Sequence, residues 1–218
     1  MTKLRNIFIP ALLLVLGGVL YGCSDAASRA TGVYMLLDTS GTYSKELKKA
    51  NTIVKYLLGT LQPGDSLAVA RIDSGSFSEK DIVGKATFDV RPSASNAQKR
   101  EFSRRIDQFV TTVRGSSNTD ISGGVLQAVE FLNETGAGKK YILIFSDLEE
   151  DLVAGQVRDF PIDFDGFYVV ALNVTKLRSD NVDPRDYMKR LEMWQKRVVD
   201  GGGEWKVVND LERLDRML

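Results

Sequence analysis

The sequence predicts an α/β fold of three layers, in which helices cover both faces of a mostly parallel central sheet. The first observation is a series of continuous apolar runs, which are typical of strands buried on both faces. The second is that segments with apolar residues three and four apart, the spacing of an amphipathic helix, lie between these runs. Because parallel strands need long crossovers, which are usually helices, this alternation predicts a Rossmann-like arrangement with both faces covered.

The apolar runs predict four buried strands, and a last short strand follows them. These five segments are Val33–Leu37, Leu67–Ile72, Tyr141–Phe145, Phe167–Leu172 and Trp205–Val208. After a polar loop over residues 75–84, Ala86, Phe88 and Val90 alternate with polar residues. This alternation predicts a half-exposed strand at an antiparallel edge of the sheet.

Helical spacing predicts four helices between the strands and a closing helix. The first helix extends over Leu47–Leu61, and the second ends at Val113 after a cap at Ser93 or Ser95. The third runs from about Asp120 to Leu132, and the fourth over Pro184–Val199. The closing helix runs to Leu218. Turn signals separate the elements, among them Pro63-Gly64-Asp65 and the glycines at 136 and 138. The folded part therefore fills the chain from about residue 32 to residue 218 as one domain.

Composition excludes several classes of function. The chain has 218 residues, and 29 basic residues balance 29 acidic ones, so bulk charge does not indicate nucleic acid as a partner. It has no His, which excludes a zinc site with His ligands and a His-based catalytic triad. It has one Cys, so no internal disulfide can form.

The N-terminus has the pattern of a secretory leader. Lys3 and Arg5 precede an apolar run over residues 7–21, which at about 15 residues is shorter than the about 20 that a transmembrane helix needs. The run ends in Leu20-Tyr21-Gly22-Cys23, which resembles the lipobox of bacterial lipoproteins. The resemblance implies a signal peptide over 1–22, lipidation of Cys23 and a tether over 23–31. A single-pass anchor with a chance Cys is the alternative.

Oxygen-bearing side chains follow two of the predicted strands and enter one helix. They are Asp38-Thr39-Ser40-Gly41-Thr42, Ser146-Asp147, and the loop Ser116 to Asp120. Ligands of open α/β sheets bind beyond the carboxyl ends of the strands. Carboxylates and hydroxyls without His or Cys are ligands for a hard cation such as Mg²⁺.

These three segments resemble the metal-binding loops of von Willebrand factor type A (VWA) domains. The segment Asp38–Thr42 is similar to the D-x-S-x-S motif of that family, Thr119 to its second loop and Phe145-Ser146-Asp147 to its third. The resemblance covers roughly residues 31–218 and implies an Mg²⁺ (or Mn²⁺) site. Thr42 stands where Ser is usual, and Gly124-Val125 stand where the family often has Ala-Leu.

The resemblance also implies a role for each matching residue. Ser40 and Thr42 would bind the metal directly, and Thr119 directly or through water. Asp38 and Asp147 would hold metal-bound waters, and an Asp or Glu of a partner protein would complete the shell. Purely structural roles are the alternative: Asp38 and Asp147 would each cap a following helix, and Glu149, Glu150 and Asp151 would form a solvated acidic loop.

The function expected from the sequence is therefore binding, with no catalysis. Ser40 interrupts a D-T-G loop of the aspartic protease kind, and residue 40 also lacks the second acid of a phosphotransfer D-x-D loop. We expect a lipid-anchored, metal-dependent protein-binding module of the bacterial envelope, without a nucleic acid partner or a small-molecule substrate. In a host with two membranes, Ser24 after the Cys resembles the pattern for the outer membrane, facing the periplasm. A metal-free structural subunit of an envelope complex is the alternative.

Overall fold

A computed structural model describes residues 28–41, 43, 46–177, 179–210 and 218. Six strands form one sheet: β1 (Thr31–Asp38), β2 (Ser66–Ile72), β3 (Ile82–Thr87), β4 (Lys139–Phe145), β5 (Phe167–Leu172) and β6 (Glu204–Val208). Four α-helices accompany them in the described part: α1 (Leu47–Thr60), α2 (Pro92–Thr112), α3 (Ile121–Glu134) and α4 (Pro184–Asp200). Two short 3₁₀ helices lie at Glu79–Asp81 and Ser179–Asn181.

The strand order across the sheet is β3-β2-β1-β4-β5-β6. All neighbours are parallel except β2 and β3, which are antiparallel at one edge. The chain leaves β1 toward β2 on one side and later returns to β4 on the other side. The predicted α/β fold, with its mostly parallel sheet and its antiparallel edge strand, is confirmed.

The central strand β1 serves two cores because its side chains alternate between the two faces of the sheet. Val33, Met35 and Leu37 pack in the core that α1 and α2 cover. Tyr34 and Leu36 pack in the opposite core, beneath α3 and α4. All five side chains are fully buried, which explains why the run reads as apolar without alternation.

The helix α3 lies close to β1 because of a glycine. A Cβ at Gly124 would come within 2.8 Å of Leu36 Cδ2, closer than side chains approach without a shift. The small residue at this position lets the helix backbone approach the sheet. This contact gives a packing reason for the departure from the Ala that the VWA pattern often has there.

The edge strand lies earlier in the chain than the sequence predicts. The structure pairs Ile82–Thr87 with β2, so the predicted strand over 86–90 and the end of the predicted loop over 75–84 are wrong. After Thr87, Phe88 turns into the core and packs edge-to-face on Phe102, with ring centroids 6.5 Å apart. Val90 is then 77% exposed. The alternating residues 86–90 therefore comprise the end of β3 and the buried Phe88 that follows it, and they do not form a strand of their own.

The predicted caps of the second helix are also wrong. The helix α2 begins at Pro92, and its N-cap is Arg91, which makes no side-chain capping bond. Proline suits this first position because its fixed φ matches the helix and its missing N–H would have no partner there. Ser95 lies inside the first turn, and its buried hydroxyl finds no partner in the described structure.

No helix in the described ranges is long and apolar enough to cross a membrane. The predicted signal peptide, Cys23 and most of the closing helix, residues 211–217, lie outside the described residues.

Candidate functional site

The site predicted from the sequence lies at the carboxyl ends of β1 and β4. These two strands are neighbours, and the chain changes direction across the sheet between them, as the strand order shows. A crevice at such a switch point is the usual ligand site of an open α/β sheet. Asp38 is the last residue of β1, and Asp147 comes two residues after the end of β4.

The Asp38 carboxylate is fully buried and held on both of its oxygens. Oδ1 accepts a 2.8 Å hydrogen bond from the backbone N–H of Ser40. Oδ2 accepts a 2.7 Å bond from the hydroxyl of Ser146, which directly precedes Asp147. These bonds fix the carboxylate between the loops that follow β1 and β4.

The Asp147 carboxylate is almost fully buried and has a perturbed pKa. Its Oδ1 accepts a 3.0 Å hydrogen bond from the backbone N–H of Glu149. Burial is the largest cause of a pKa raised from 3.8 to about 6; the bond from Glu149 lowers the pKa, whereas the negative charge of Asp38 raises it. The two carboxylates are thus close enough to repel each other, and a cation between them would relieve the repulsion.

The loop after β1 is anchored to β5 through Tyr43. The Tyr43 hydroxyl donates a 2.5 Å hydrogen bond to the carbonyl of Asn173, and its ring packs edge-to-face on Phe145. The Tyr43 N–H also closes a turn onto the carbonyl of Ser40, at 3.0 Å. Ser40 therefore lies in an anchored turn beside Asp38, whereas Thr42 lies outside the described residues.

The second loop lies against the first and against the segment after β4. Ser116 N–H donates a 2.8 Å hydrogen bond to the carbonyl of Thr39, and Ser116 bridges to Ser40. Thr119 exchanges two backbone hydrogen bonds with Asp151, at 2.7 and 3.0 Å. Within the described ranges, the buried Thr119 makes no hydrogen bond through its hydroxyl. The structure thus brings Asp38, Ser40, Thr119 and Asp147 to one end of the sheet.

Asp120, which follows Thr119, has a structural role. Its buried carboxylate accepts bonds from the N–H groups of Gly123 and Ser76, so it caps α3. Arg158 donates to both of its oxygens, with the shortest contact at 2.7 Å. This ion pair holds the irregular segment over residues 148–166 against the start of α3.

The helix α4 fixes the turn that carries Asp147. Leu148 has a φ of 66°, in the left-handed region that residues with a Cβ seldom adopt. Arg190 donates to the carbonyl of Asp147 at 3.3 Å, and Trp194 donates to that of Leu148 at 3.4 Å. Arg190 also forms two bonds of 2.9 and 2.8 Å with the buried Asp180. These contacts, together with the buried Leu148 side chain, stabilise an uncommon backbone conformation next to the site.

The alternative in which Asp38 and Asp147 are helix caps is wrong. The helix α1 begins at Leu47, and its N-cap Glu46 makes no side-chain capping bond. No described helix begins near Asp147. The acidic segment is only partly the solvated loop that the sequence predicts, because Glu150 accepts bonds from the N–H and the hydroxyl of Ser122 at 2.6 and 3.0 Å.

The donors at this site are carboxylate and hydroxyl oxygens, which suit a hard divalent cation. The described residues contain no group of three or more His, Cys, Asp or Glu side chains arranged as a metal site. A cation here would therefore depend on two carboxylates, on hydroxyls and on oxygens from outside the chain. Such a set fits Mg²⁺, which usually keeps several waters when one or two carboxylates bind it.

Comparison with known proteins shows the fold. No protein-family model and no curated protein matches the chain. Several solved structures match the chain. The minor pilin PilB from Streptococcus sanguinis has a TM-score of 0.53 and 14% identity over 88% of this chain. The pilus adhesin SpaC from Lactobacillus rhamnosus GG, in an open conformation, has a TM-score of 0.51 and 12% identity over 86%.

A von Willebrand factor type A protein from Catenulispora acidiphila has a TM-score of 0.50 and 14% identity over 86% of this chain. The matched regions span 60%, 29% and 40% of the PilB, SpaC and Catenulispora chains. The domain therefore has a VWA-like fold. At such identities the likeness shows the fold alone, so metal binding and the absence of catalysis stay predictions.

Proposed function

We propose that this chain is a lipid-anchored, divalent-metal-dependent protein-binding module, an adhesion or scaffold domain, of the bacterial cell envelope. Asp38, Ser40, Thr42, Thr119 and Asp147 would hold Mg²⁺ or Mn²⁺. Cys23 would carry the lipid, and the outer membrane would be its location in a host with two membranes.

One observation carries the metal proposal: two buried carboxylates lie together at the switch point of the sheet. Burial first, and then the negative charge of Asp38, raise the pKa of Asp147, so the ionised form of Asp147 is unfavourable there. Protein sites that hold like charges in this way are often functional. A divalent cation would compensate both charges, and the hydroxyl of Ser40 lies in the turn that Asp38 holds.

The metal, when bound, would supply an electrophilic position for a carboxylate oxygen of a partner. The chain's own residues would orient that position: Ser146 and the Ser40 N–H fix the Asp38 carboxylate, and Arg190 fixes the Asp147 backbone. The fold likeness to a pilus adhesin and a minor pilin supports a role in attachment or assembly.

Calorimetric titration of Mg²⁺ and of Mn²⁺ into the metal-free full chain in detergent tests the metal site. We expect one binding event, which Asp38→Asn abolishes and the exposed α4 substitution Asp186→Asn leaves unchanged. Binding that is equally strong in Asp38→Asn and in the parent chain would refute the assignment.

A metal-free structural subunit is the second candidate. The observation that favours it is that both oxygens of Asp38 already accept hydrogen bonds from the protein itself. Affinity capture with and without EDTA separates the two candidates. A partner that still binds in EDTA, and that still binds the Asp38→Asn variant, would support the structural subunit. A partner that is lost under both conditions would support the metal-dependent module.

A further inference from the structure

A second surface of the domain lies on one face of α3, which carries an amide, an aromatic ring and two carboxylates. Gln127, Glu130, Phe131 and Glu134 are spaced by three and four residues, so they lie along one side of the helix. The loop before β3 lies opposite and contributes Phe77, which is 44% exposed, and Glu79. Together with Ser78 and Ile82, these six residues line a pocket of about 190 Å³. They are called the α3 pocket below.

The α3 pocket is small for a cofactor. Pockets for drug-sized ligands have roughly 300–1,000 Å³, whereas about 190 Å³ suits a single long side chain. Its walls include the rings of Phe77 and Phe131, and Phe131 packs edge-to-face on the buried Tyr34 with ring centroids 5.6 Å apart. Aromatic faces of this kind attract cations as well as apolar stems.

The charge around the α3 pocket is negative and is not balanced inside the described structure. Glu79 binds Lys85 at 2.7 Å, but Glu130 and Glu134 form no ion pair with any described residue. They are four residues apart at the C-terminal end of α3, whose last turn has no basic residue. The two negative charges repel each other at this i,i+4 spacing, and the negative end of the helix dipole also disfavours a carboxylate in the last turn. A bound cation would remove both penalties.

The floor of the pocket adds an amide with an unused donor. Gln127 is more than nine-tenths buried, and its Oε1 accepts a 3.0 Å hydrogen bond from the hydroxyl of Tyr34. The Gln127 side chain lines the same pocket, and its Nε2 donates to no described residue. This amide N–H can therefore donate to the oxygen of a ligand in the pocket.

We propose that the α3 pocket binds an arginine residue of a partner protein. The guanidinium would lie between Glu130 and Glu134, and the apolar stem would lie against Phe77 and Phe131. The backbone carbonyl of the same residue would accept from Gln127 Nε2. This site lies on the flank of α3, so it is separate from the metal site proposed above and does not depend on it.

Ligand-observed NMR on the full chain in detergent tests this site with small probes. The probes are N-acetyl-arginine N-methylamide, the uncharged isostere N-acetyl-citrulline N-methylamide, and butylguanidinium, which lacks the carbonyl groups. We expect the arginine amide to bind tightest, citrulline to bind at least about fivefold more weakly through loss of two exposed ion pairs, and butylguanidinium to bind more weakly than the arginine amide.

Two variants locate the binding. The double variant Glu130→Gln/Glu134→Gln keeps helix propensity and is expected to weaken the arginine amide about fivefold. The control Glu192→Gln removes an exposed carboxylate from α4 and is expected to change nothing. Equal binding of arginine and citrulline, equal loss in the control, or butylguanidinium as tight as the arginine amide would each overturn the proposal.

Discussion

The raised pKa of Asp147 predicts that this residue destabilises the metal-free protein at neutral pH. The carboxylate binds its proton more tightly in the folded state, with a pKa of about 6, than in the unfolded chain, where it is near 3.8. The stability difference is therefore absent below pH 3.8, grows between pH 3.8 and 6, and is complete above pH 6. At 1.36 kcal/mol for each pKa unit, the shift corresponds to a penalty of about 3 kcal/mol.

The substitution Asp147→Asn removes that penalty and keeps the local structure. The amide oxygen can still accept the hydrogen bond from the Glu149 N–H. The variant loses the attraction between the carboxylate and Arg190, which opposes part of the gain. We therefore expect the free energy of unfolding at pH 7.5 to rise by about 1–3 kcal/mol.

Urea unfolding in EDTA, followed by tryptophan fluorescence, measures this effect because Trp194 is fully buried. The gain should shrink as the pH falls from 7.5 to 4.5. With Mg²⁺ present, the order should reverse: the metal should stabilise the parent chain and leave Asp147→Asn unchanged. The exposed carboxylate Glu192 on α4 provides the control, because Glu192→Gln should change stability by less than about 0.5 kcal/mol. A variant that is no more stable than the parent chain at pH 7.5 in EDTA would refute the reasoning.

Three further predictions concern the anchor and the packing. Globomycin should cause an unprocessed precursor to accumulate, as should Cys23→Ser; a mature product under both conditions would contradict lipidation. Gly201→Ala should destabilise the domain by about 1–3 kcal/mol, because its Cβ would collide with the backbone oxygen of Ile162. Gly59→Ala, with open space around it, should stabilise the domain by up to about 1 kcal/mol. Urea midpoints in the opposite order would contradict the packing. Arg158→Met should cost about 3 kcal/mol in urea unfolding, because it leaves the buried Asp120 charge unpaired; a loss below about 1 kcal/mol would show that the ion pair contributes little.

The central strands could be predicted from the sequence because burial on both faces leaves a direct mark on it. Apart from the hydroxyls of Tyr34 and Tyr141, Val33–Leu37 and Tyr141–Phe145 carry no polar side-chain group, and each is followed by an aspartate within two residues. Since parallel strands end at the same edge of the sheet, the proximity of the two aspartates followed from the predicted topology. The edge strand was misplaced because one exposed face permits several registers, and Phe88 belongs to the core although it follows the strand.

The residues that support the site were missed for a different reason. Arg158 pairs with Asp120 across 38 residues, from a segment without periodicity, so no local signal connects them. Leu148 gave no sign of its left-handed backbone, because that conformation depends on contacts from α4. Arg190 did leave a signal: it is a charged residue four positions before the buried Trp194, on the inward side of a helix.

The direction of β1 separates the point where the chain enters the domain from the candidate site. The strand begins at Thr31, whose N–H is held by Asp65, and ends at Asp38 beside the candidate site. Its eight residues span about 23 Å at about 3.3 Å per residue. The chain thus enters the domain at the end of β1 opposite to the candidate site. In the lipid-anchored module proposed above, the tether and the partner would therefore meet the domain at opposite ends of its central strand.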